Sequence, residues 1–402
     1  MKKEADQTLT SGPIRKQLLQ MAIPMSIGMF FNTMFNVVDT FYAGKLGTAD
    51  LAGMSASFSV FFILTAIVSG IGTGLAALLS NAIGSNDKPK VVSLRINGLF
   101  LTLAVSLVLS VAGFFFSPYL LQVLGASGEA LEAGSRYVRM VYAGTIFFAI
   151  NSTFNAFLSS HGNTKPYRNF LILGFLINLV LDPLLIFGWL GLPRLGTLGV
   201  ALATVIVQLT GNIYLGFKVS RILDFKLSKE SPKKLNLKHQ LEIVQQGVPS
   251  ALNMLTIAIG VFVINYFNYR YGNDASIAGY GAAMRLEQLV LLPALGLNAA
   301  TLTMVGQNYG AHKLERVKET VKTAMKIGII IMSIGMVIIF PLAPFLIRLF
   351  NDDPDVVFEG SRYLRIEFIP LTPILLSISA FRCCRVSRSL TTRSVSVFTD
   401  SC

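Results

Sequence analysis

Residues 51–141 of this chain recur at residues 277–367 with a constant offset of 226. Leu51-Ala52-Gly53 answers to Ile277-Ala278-Gly279, Gly70 and Gly84 to Gly296 and Gly310, and Pro118 to Pro344. The strongest match sets Gly134-Ser135-Arg136-Tyr137-Val138-Arg139 against Gly360-Ser361-Arg362-Tyr363-Leu364-Arg365. Upstream the offset is 225, pairing Ile23-Pro24 with Val248-Pro249. This period is too long for a solenoid. In an apolar chain it marks a duplicated half-molecule.

The chain has 402 residues, 53% hydrophobic and only 14% charged, against about 25% charge in soluble proteins. Its apolar residues gather in continuous runs of roughly 20 or more, enough to cross a ~30 Å hydrocarbon core as helix. They lack the ~10-residue alternation of a membrane barrel. Spans are expected near 18–43, 51–80, 97–116, 137–159, 169–190, 197–217, 247–269, 277–306, 323–343 and 363–381. The fold class is therefore an all-α polytopic membrane protein. The polar start, Met1-Lys2-Lys3-Glu4, shows no cleavable signal peptide, so the first span is expected to stay in the mature protein.

A net charge of +13 invites a nucleic-acid partner, and its distribution argues against one. Alternate connections carry 25 of the 34 basic residues. These include Arg15 and Lys16, Lys88, Lys90 and Arg95, and seven in the 218–238 segment. By the positive-inside rule that side, with the N-terminus, faces the cytoplasm. Six spans precede the basic linker, so both copies start on the same side and form a parallel repeat. Residues 1–217 read as a six-helix lobe, 218–241 as a cytoplasmic linker, and 242–381 as an incomplete second lobe of about four helices. A complete second copy would run to roughly residue 443, whereas similarity fades after Pro370. Residues 382–402 differ in composition and hold all three cysteines. A frameshift or truncation near residues 373–382 is the preferred reading. Cys383-Cys384 has no zinc spacing, and His161, His239 and His312 lie apart in loops, so no metal is indicated.

Ionisable groups deep in a span are costly and mark function. Asp39 lies in the first span, with Asn32 and Asn36 on the same helical face at i−7 and i−3. Asp182 lies in the fifth, with Asn178 one turn before it and Pro183 next to it. Asn151 and Asn155 repeat the i, i+4 spacing in the fourth. No acid matches Asp39 in the second copy, where Ile264 or Asn265 stands opposite it. Low dielectric disfavours the charged form of a carboxyl group, a property that a proton-coupled carrier needs. The plain alternative is a buried, hydrogen-bonded acid pair joining helices. Glu287, with Arg285, is a cleft contact or a residue of the far mouth. Met25, Met29, Phe30, Phe35 and Met254 are candidates for an adaptable cleft, although most such residues simply pack or face lipid.

The segments Val37-Val38-Asp39-Thr40-Phe41-Tyr42-Ala43-Gly44-Lys45-Leu46-Gly47 and Leu51-Ala52-Gly53 resemble the first-helix signature of the multidrug and toxic compound extrusion (MATE) family. Asn178-Leu179-Val180-Leu181-Asp182-Pro183-Leu184-Leu185-Ile186-Phe187-Gly188 and Leu198-Gly199-Val200-Ala201-Leu202-Ala203-Thr204 resemble its fifth-to-sixth helix region. The resemblance covers roughly residues 14–372. It implies two six-helix lobes around a central cleft and cation-coupled export of bulky, often cationic compounds. It carries a coupling network to Asp39, Asn155, Asn178 and Asp182, with Thr204 a weaker member.

The resulting expectation is a secondary transporter, not an enzyme, in a prokaryotic cytoplasmic membrane. It would act as a monomer on drug-like substrates, with no cofactor beyond a coupling proton, sodium being the alternative ion. A substrate cleft would include Asn32, Asn36, Met29, Phe35 and Glu287. The rivals are a lipid-linked precursor flippase of the same superfamily, a non-functional fragment, and an intramembrane aspartyl protease. The protease reading is disfavoured because both acids lie in one copy and no Gly-x-Gly-Asp occurs.

Overall fold

The computed structural model describes residues 9–222 and 235–366. Among these, ordered structure is helical and no strand occurs. The helices are α1 Ile14–Gly44, α2 Thr48–Gly84, α3 Lys88–Val123, α4 Gly128–Ala143, α5 Thr145–Ser160, α6 Lys165–Phe187, α7 Thr197–Ile222, α8 Leu237–Tyr271, α9 Asp274–Gly310 and α10 Leu314–Arg348. A stretch at 354–366, here α11, follows. Most of the expected tenth span, half of the linker and the Arg/Ser/Cys tail lie outside the described residues.

Eight of these helices are long and apolar enough to cross a membrane, and α4 with α5 makes a ninth as a bent pair. The 137–159 span, expected as one helix, is broken by 49°. Gly144 stands at the break, where a Cβ would meet the Val205 side chain 2.5 Å away. Thr145 Oγ1 donates to the Tyr142 carbonyl at 2.7 Å there. A hydroxyl that competes for helical carbonyls, next to a glycine, accounts for the kink.

The described chain forms two compact units. One comprises Ile27–Asn253; the other comprises Thr8–Ser26 together with the chain from Met254 onward. Helices α1 and α8 are continuous across these boundaries. The first half of α1 therefore belongs to the second unit and the first half of α8 to the first. The boundaries fall just after Pro24 and Pro249, which the repeat places in register.

In the first unit α2 packs on α3, α4 and α5, while α7 packs on α4, α5 and α6. Leu75, Leu79, Phe157, Phe170, Leu215 and Ile243 form one core cluster. Met54, Leu64, Tyr137, Tyr142 and Val200 form another. Lipid tails are as apolar as leucine, so helices in a bilayer associate through close van der Waals contact at small residues. Gly53 and Gly134 provide it between α2 and α4: a Cβ on Gly134 would stand 2.7 Å from the Gly53 carbonyl. The equivalent Gly279 and Gly360 do the same in the second unit, where a Cβ on Gly279 would stand 2.7 Å from the Gly360 nitrogen. That is why both copies of the repeat hold glycine at these positions.

In the second unit α9 packs on α10, around Ala283, Met332, Ile347 and Leu364. The chain before α1 is tied down there. Leu9 N–H donates to Gln307 Oε1 at 2.9 Å, and Asn308 Nδ2 donates to the Leu9 carbonyl at 3.2 Å. Arg316 donates to the Leu9 and Gly12 carbonyls, and Lys313 to that of Thr10. These bonds occupy backbone groups that have no helical partner.

Candidate functional site: a bridged pair of buried acids

Helices α1, α6 and α7 of the first unit bring Asp39, Asn178, Asp182 and Thr204 together. All four are buried, Asn178 and Asp182 completely. Asn178 and Asp182 share a face because they lie one turn apart on α6. The Asn178 amide then uses both hydrogens, donating to Asp39 Oδ1 at 3.0 Å and to Asp182 Oδ1 at 2.9 Å. Thr204 Oγ1 lies 3.4 Å from Asp39 Oδ2 and 3.0 Å from the Val200 carbonyl. The second contact is the better bond, so the hydroxyl is a loose partner for Asp39.

The cluster has unused acceptors. Asp182 Oδ2 and Asn178 Oδ1 are buried with no hydrogen-bond partner among the described residues. Among the described residues no ion pair reaches it either: the pairs Arg136–Glu132 and Lys318–Glu315 are exposed and lie elsewhere. Buried carboxyls without a counter-charge are expensive to ionise and bind a proton or a cation to relieve the cost.

Asn155 makes no hydrogen bond to this cluster, and its Oδ1 is buried and unpartnered. Asn151 instead donates to Gln208 on α7. Asn36 turns back onto the Asn32 carbonyl of its own helix, while Asn32 is exposed. Phe35 is packed into the core with Phe157 and Phe170, and Met29 is half-buried. Glu287 is half-buried in the second unit. Tyr137 was not among the expected site residues. It is buried on α4 within electrostatic reach of both Asp39 and Asp182. Its signal was available, since it stands in the strongest segment of the repeat.

The MatE family model matches residues 24–184 and 249–391. The two matches begin at Pro24 and Pro249, in the register of the internal repeat, and the second continues past residue 370, where that repeat fades. A FAD transporter of Shewanella oneidensis is 30% identical over 363 residues, which span 89% of this chain and 78% of that protein. The probable multidrug resistance protein NorM of Thermotoga maritima is 27% identical over 369 residues, 91% of this chain and 78% of that protein. Among solved structures, an outward-facing multidrug resistance MATE transporter superposes with a TM-score of 0.86 at 25% identity, covering 95% of this chain and 85% of that one. A MATE structure in the bent conformation gives 0.85 at 27% identity, covering 96% and 86%. Two matches of one family model, set on the chain's own repeat, make this protein a member of the MatE family, a multi-pass multidrug efflux transporter and not an enzyme.

Proposed function

We propose that the chain is a proton-coupled antiporter that exports drug-like, often cationic compounds across the cytoplasmic membrane as a monomer. The observation that carries this reading is the single Asn178 amide donating to both Asp39 and Asp182. Protonating Asp39 removes charge and acceptor strength from the bond that joins α1 to α6, and protonating Asp182 weakens the α6 bond that shares the same Asn178 amide, so protonation alters how α1 is held. Each proton entering gains about 2.3 kcal/mol per 100 mV of membrane potential. The proton is favoured over sodium because the 247–269 span, which matches the first span, carries no acid. The N-terminus is assigned to the cytoplasm by the Lys/Arg asymmetry of the loops.

The test is ethidium transport in vesicles containing the chain, driven by an imposed pH gradient. Transport is expected to collapse in Asp39→Asn and in Asp182→Asn. Export by Asp39→Asn at the parent rate would sink the coupling assignment, and a response to a sodium gradient alone would change the ion.

A second cargo reading rests on one observation, the 30% identity to a protein named a FAD transporter. The same vesicles supplied with FAD decide between them: movement of FAD without movement of ethidium replaces the drug reading.

A further inference from the structure

The repeated Gly-Ser-Arg-Tyr-x-Arg segment contributes Tyr137 near the acid cluster, and its last arginine serves elsewhere. In the first unit the Arg139 guanidinium lies 5.6 Å from the centre of the Phe114 ring. In the second, Arg365 lies 5.4 Å from the centre of the Phe340 ring. Arg139 and Arg365, and Phe114 and Phe340, are each related by the offset of 226. Each phenylalanine is followed four residues later by a proline, Pro118 or Pro344. Proline has no N–H, so the Phe114 and Phe340 carbonyls lose their ordinary helical donor. Arg365 Nε supplies one to Phe340 at 3.2 Å, leaving its terminal nitrogens unused by it.

The Arg139 side chain is exposed and makes no hydrogen bond or ion pair with any described residue. The nearby Arg136 is already paired with Glu132 at 2.7 Å. Phe114 and Phe340 are exposed too, amid further exposed rings: Phe115, Phe116 and Tyr119 in one unit, and Phe345 in the other. Depth decides what surrounds them. Phe114 lies 26 residues beyond Lys88, the start of α3 in a basic loop, or ~39 Å along the helix. With the apolar run of α3 filling 97–116, Phe114 stands at the far edge of a ~30 Å hydrocarbon layer. A cation there, over an aromatic face and in no ion pair with a described residue, meets lipid headgroups.

We propose that Arg139–Phe114 and Arg365–Phe340 are two equivalent seats for the phosphate of an anionic phospholipid, in the leaflet opposite the basic loops. The guanidinium forks onto the phosphate oxygens, while the ring beneath fixes the guanidinium plane and borders the first methylenes of the acyl chain. Two such seats, one per unit, tie matching points of the duplicated bundle to the membrane surface.

The sole tryptophan, Trp189, makes a local test possible. In a Trp189→Phe background, Phe114→Trp and, separately, Phe340→Trp place a fluorophore at each seat. The full chain is reconstituted in phosphatidylcholine vesicles with either brominated phosphatidylglycerol or brominated phosphatidylcholine, and quenching is compared. Phosphatidylglycerol is expected to be preferred roughly threefold to fivefold at each seat, the scale of one basic residue at a membrane surface. The preference should fall to parity when Arg139→Gln is added at the first seat or Arg365→Gln at the second. Equal quenching by the two lipids with the arginine intact overturns the proposal. A preference that survives the Gln substitution also overturns it, as does one abolished by excess inorganic phosphate, which would mean a free-anion site.

Discussion

Gly70 of α2 and Gly247 of α8 meet backbone to backbone. A Cβ on Gly70 would stand 2.9 Å from the Gly247 carbonyl oxygen, and one on Gly247 would stand 2.8 Å from the Gly70 carbonyl oxygen. The second unit builds the same joint from equivalent positions, where a Cβ on Gly296 would stand 2.8 Å from the Ala22 carbonyl oxygen. Each unit thus grips the first half of a helix whose second half lies in the other.

Gly247→Val is expected to destabilise the protein by about 1–3 kcal/mol, because its methyl groups strike backbone that no rotamer can move. Gly260 lies on the same helix, and a Cβ added there would meet nothing within 4 Å. Gly260→Ala should therefore be neutral or stabilising by about 0.5–1 kcal/mol. Thermal unfolding in detergent separates the two. Equal melting shifts would refute the close-contact argument.

The acid cluster predicts an order of effects. Asn178→Ala removes the one donor shared by both carboxyls and should lower transport by at least about tenfold, the equivalent of ~1.4 kcal/mol. Thr204→Val removes only a 3.4 Å contact from a hydroxyl that already has a better acceptor, so its effect should stay below about threefold. Initial rates of ethidium transport at matched protein levels check the order, and a Thr204→Val defect as large as that of Asn178→Ala would reverse it.

His161, at the end of α5, carries a pH signature. Arg95 Nη2 donates to its Nε2 at 2.9 Å, so Nδ1 bears the hydrogen and donates to the Phe157 carbonyl at 2.8 Å. Burial, and then the Arg95 charge, push the imidazole down from 6.5 to about 4. Between these values the unfolded chain binds the extra proton and the folded chain does not. The stability is therefore complete above about pH 6.5 and is lost as the pH falls toward 4, by about 2 kcal/mol at pH 5. His161→Asn should flatten that part of the melting-temperature profile. An unchanged acid slope would exclude His161 as its source.

Asn308 is fully buried, and its amide bonds hold the Leu9 and Met304 carbonyls while its oxygen accepts from Arg316. Asn308→Leu should free the segment before α1 and cost about 1–3 kcal/mol through the unpaired groups left behind. Trypsin cleavage at Arg15 should then be several-fold faster than in the parent. Unchanged cleavage would show that the strap holds without Asn308.

Much of the architecture was legible because hydrophobic length and duplication are properties of the chain alone. The first nine spans coincide with helices or with the α4–α5 pair. Asp39 and Asp182 were legible because acids are rare in such runs, and Asn178 because it stands one turn before Asp182. Asn155 was placed with them by resemblance, yet it makes no hydrogen bond to them and its Oδ1 is unpartnered among the described residues. Phe35 looked like a cleft residue, but apolar character does not distinguish a core position from a lining one.

The sequence by itself determined the helical class, the twofold repeat and which ionisable residues lie deep in the spans. These follow from bilayer thickness, from the cost of buried charge and from self-similarity. Only the tertiary structure decided that one amide bridges both acids, that Tyr137 stands near them, and that α1 and α8 each divide between two units. Those facts depend on which helix faces touch. Close approach at glycines sets those faces, and contacts between residues distant in the chain leave no periodic trace along it.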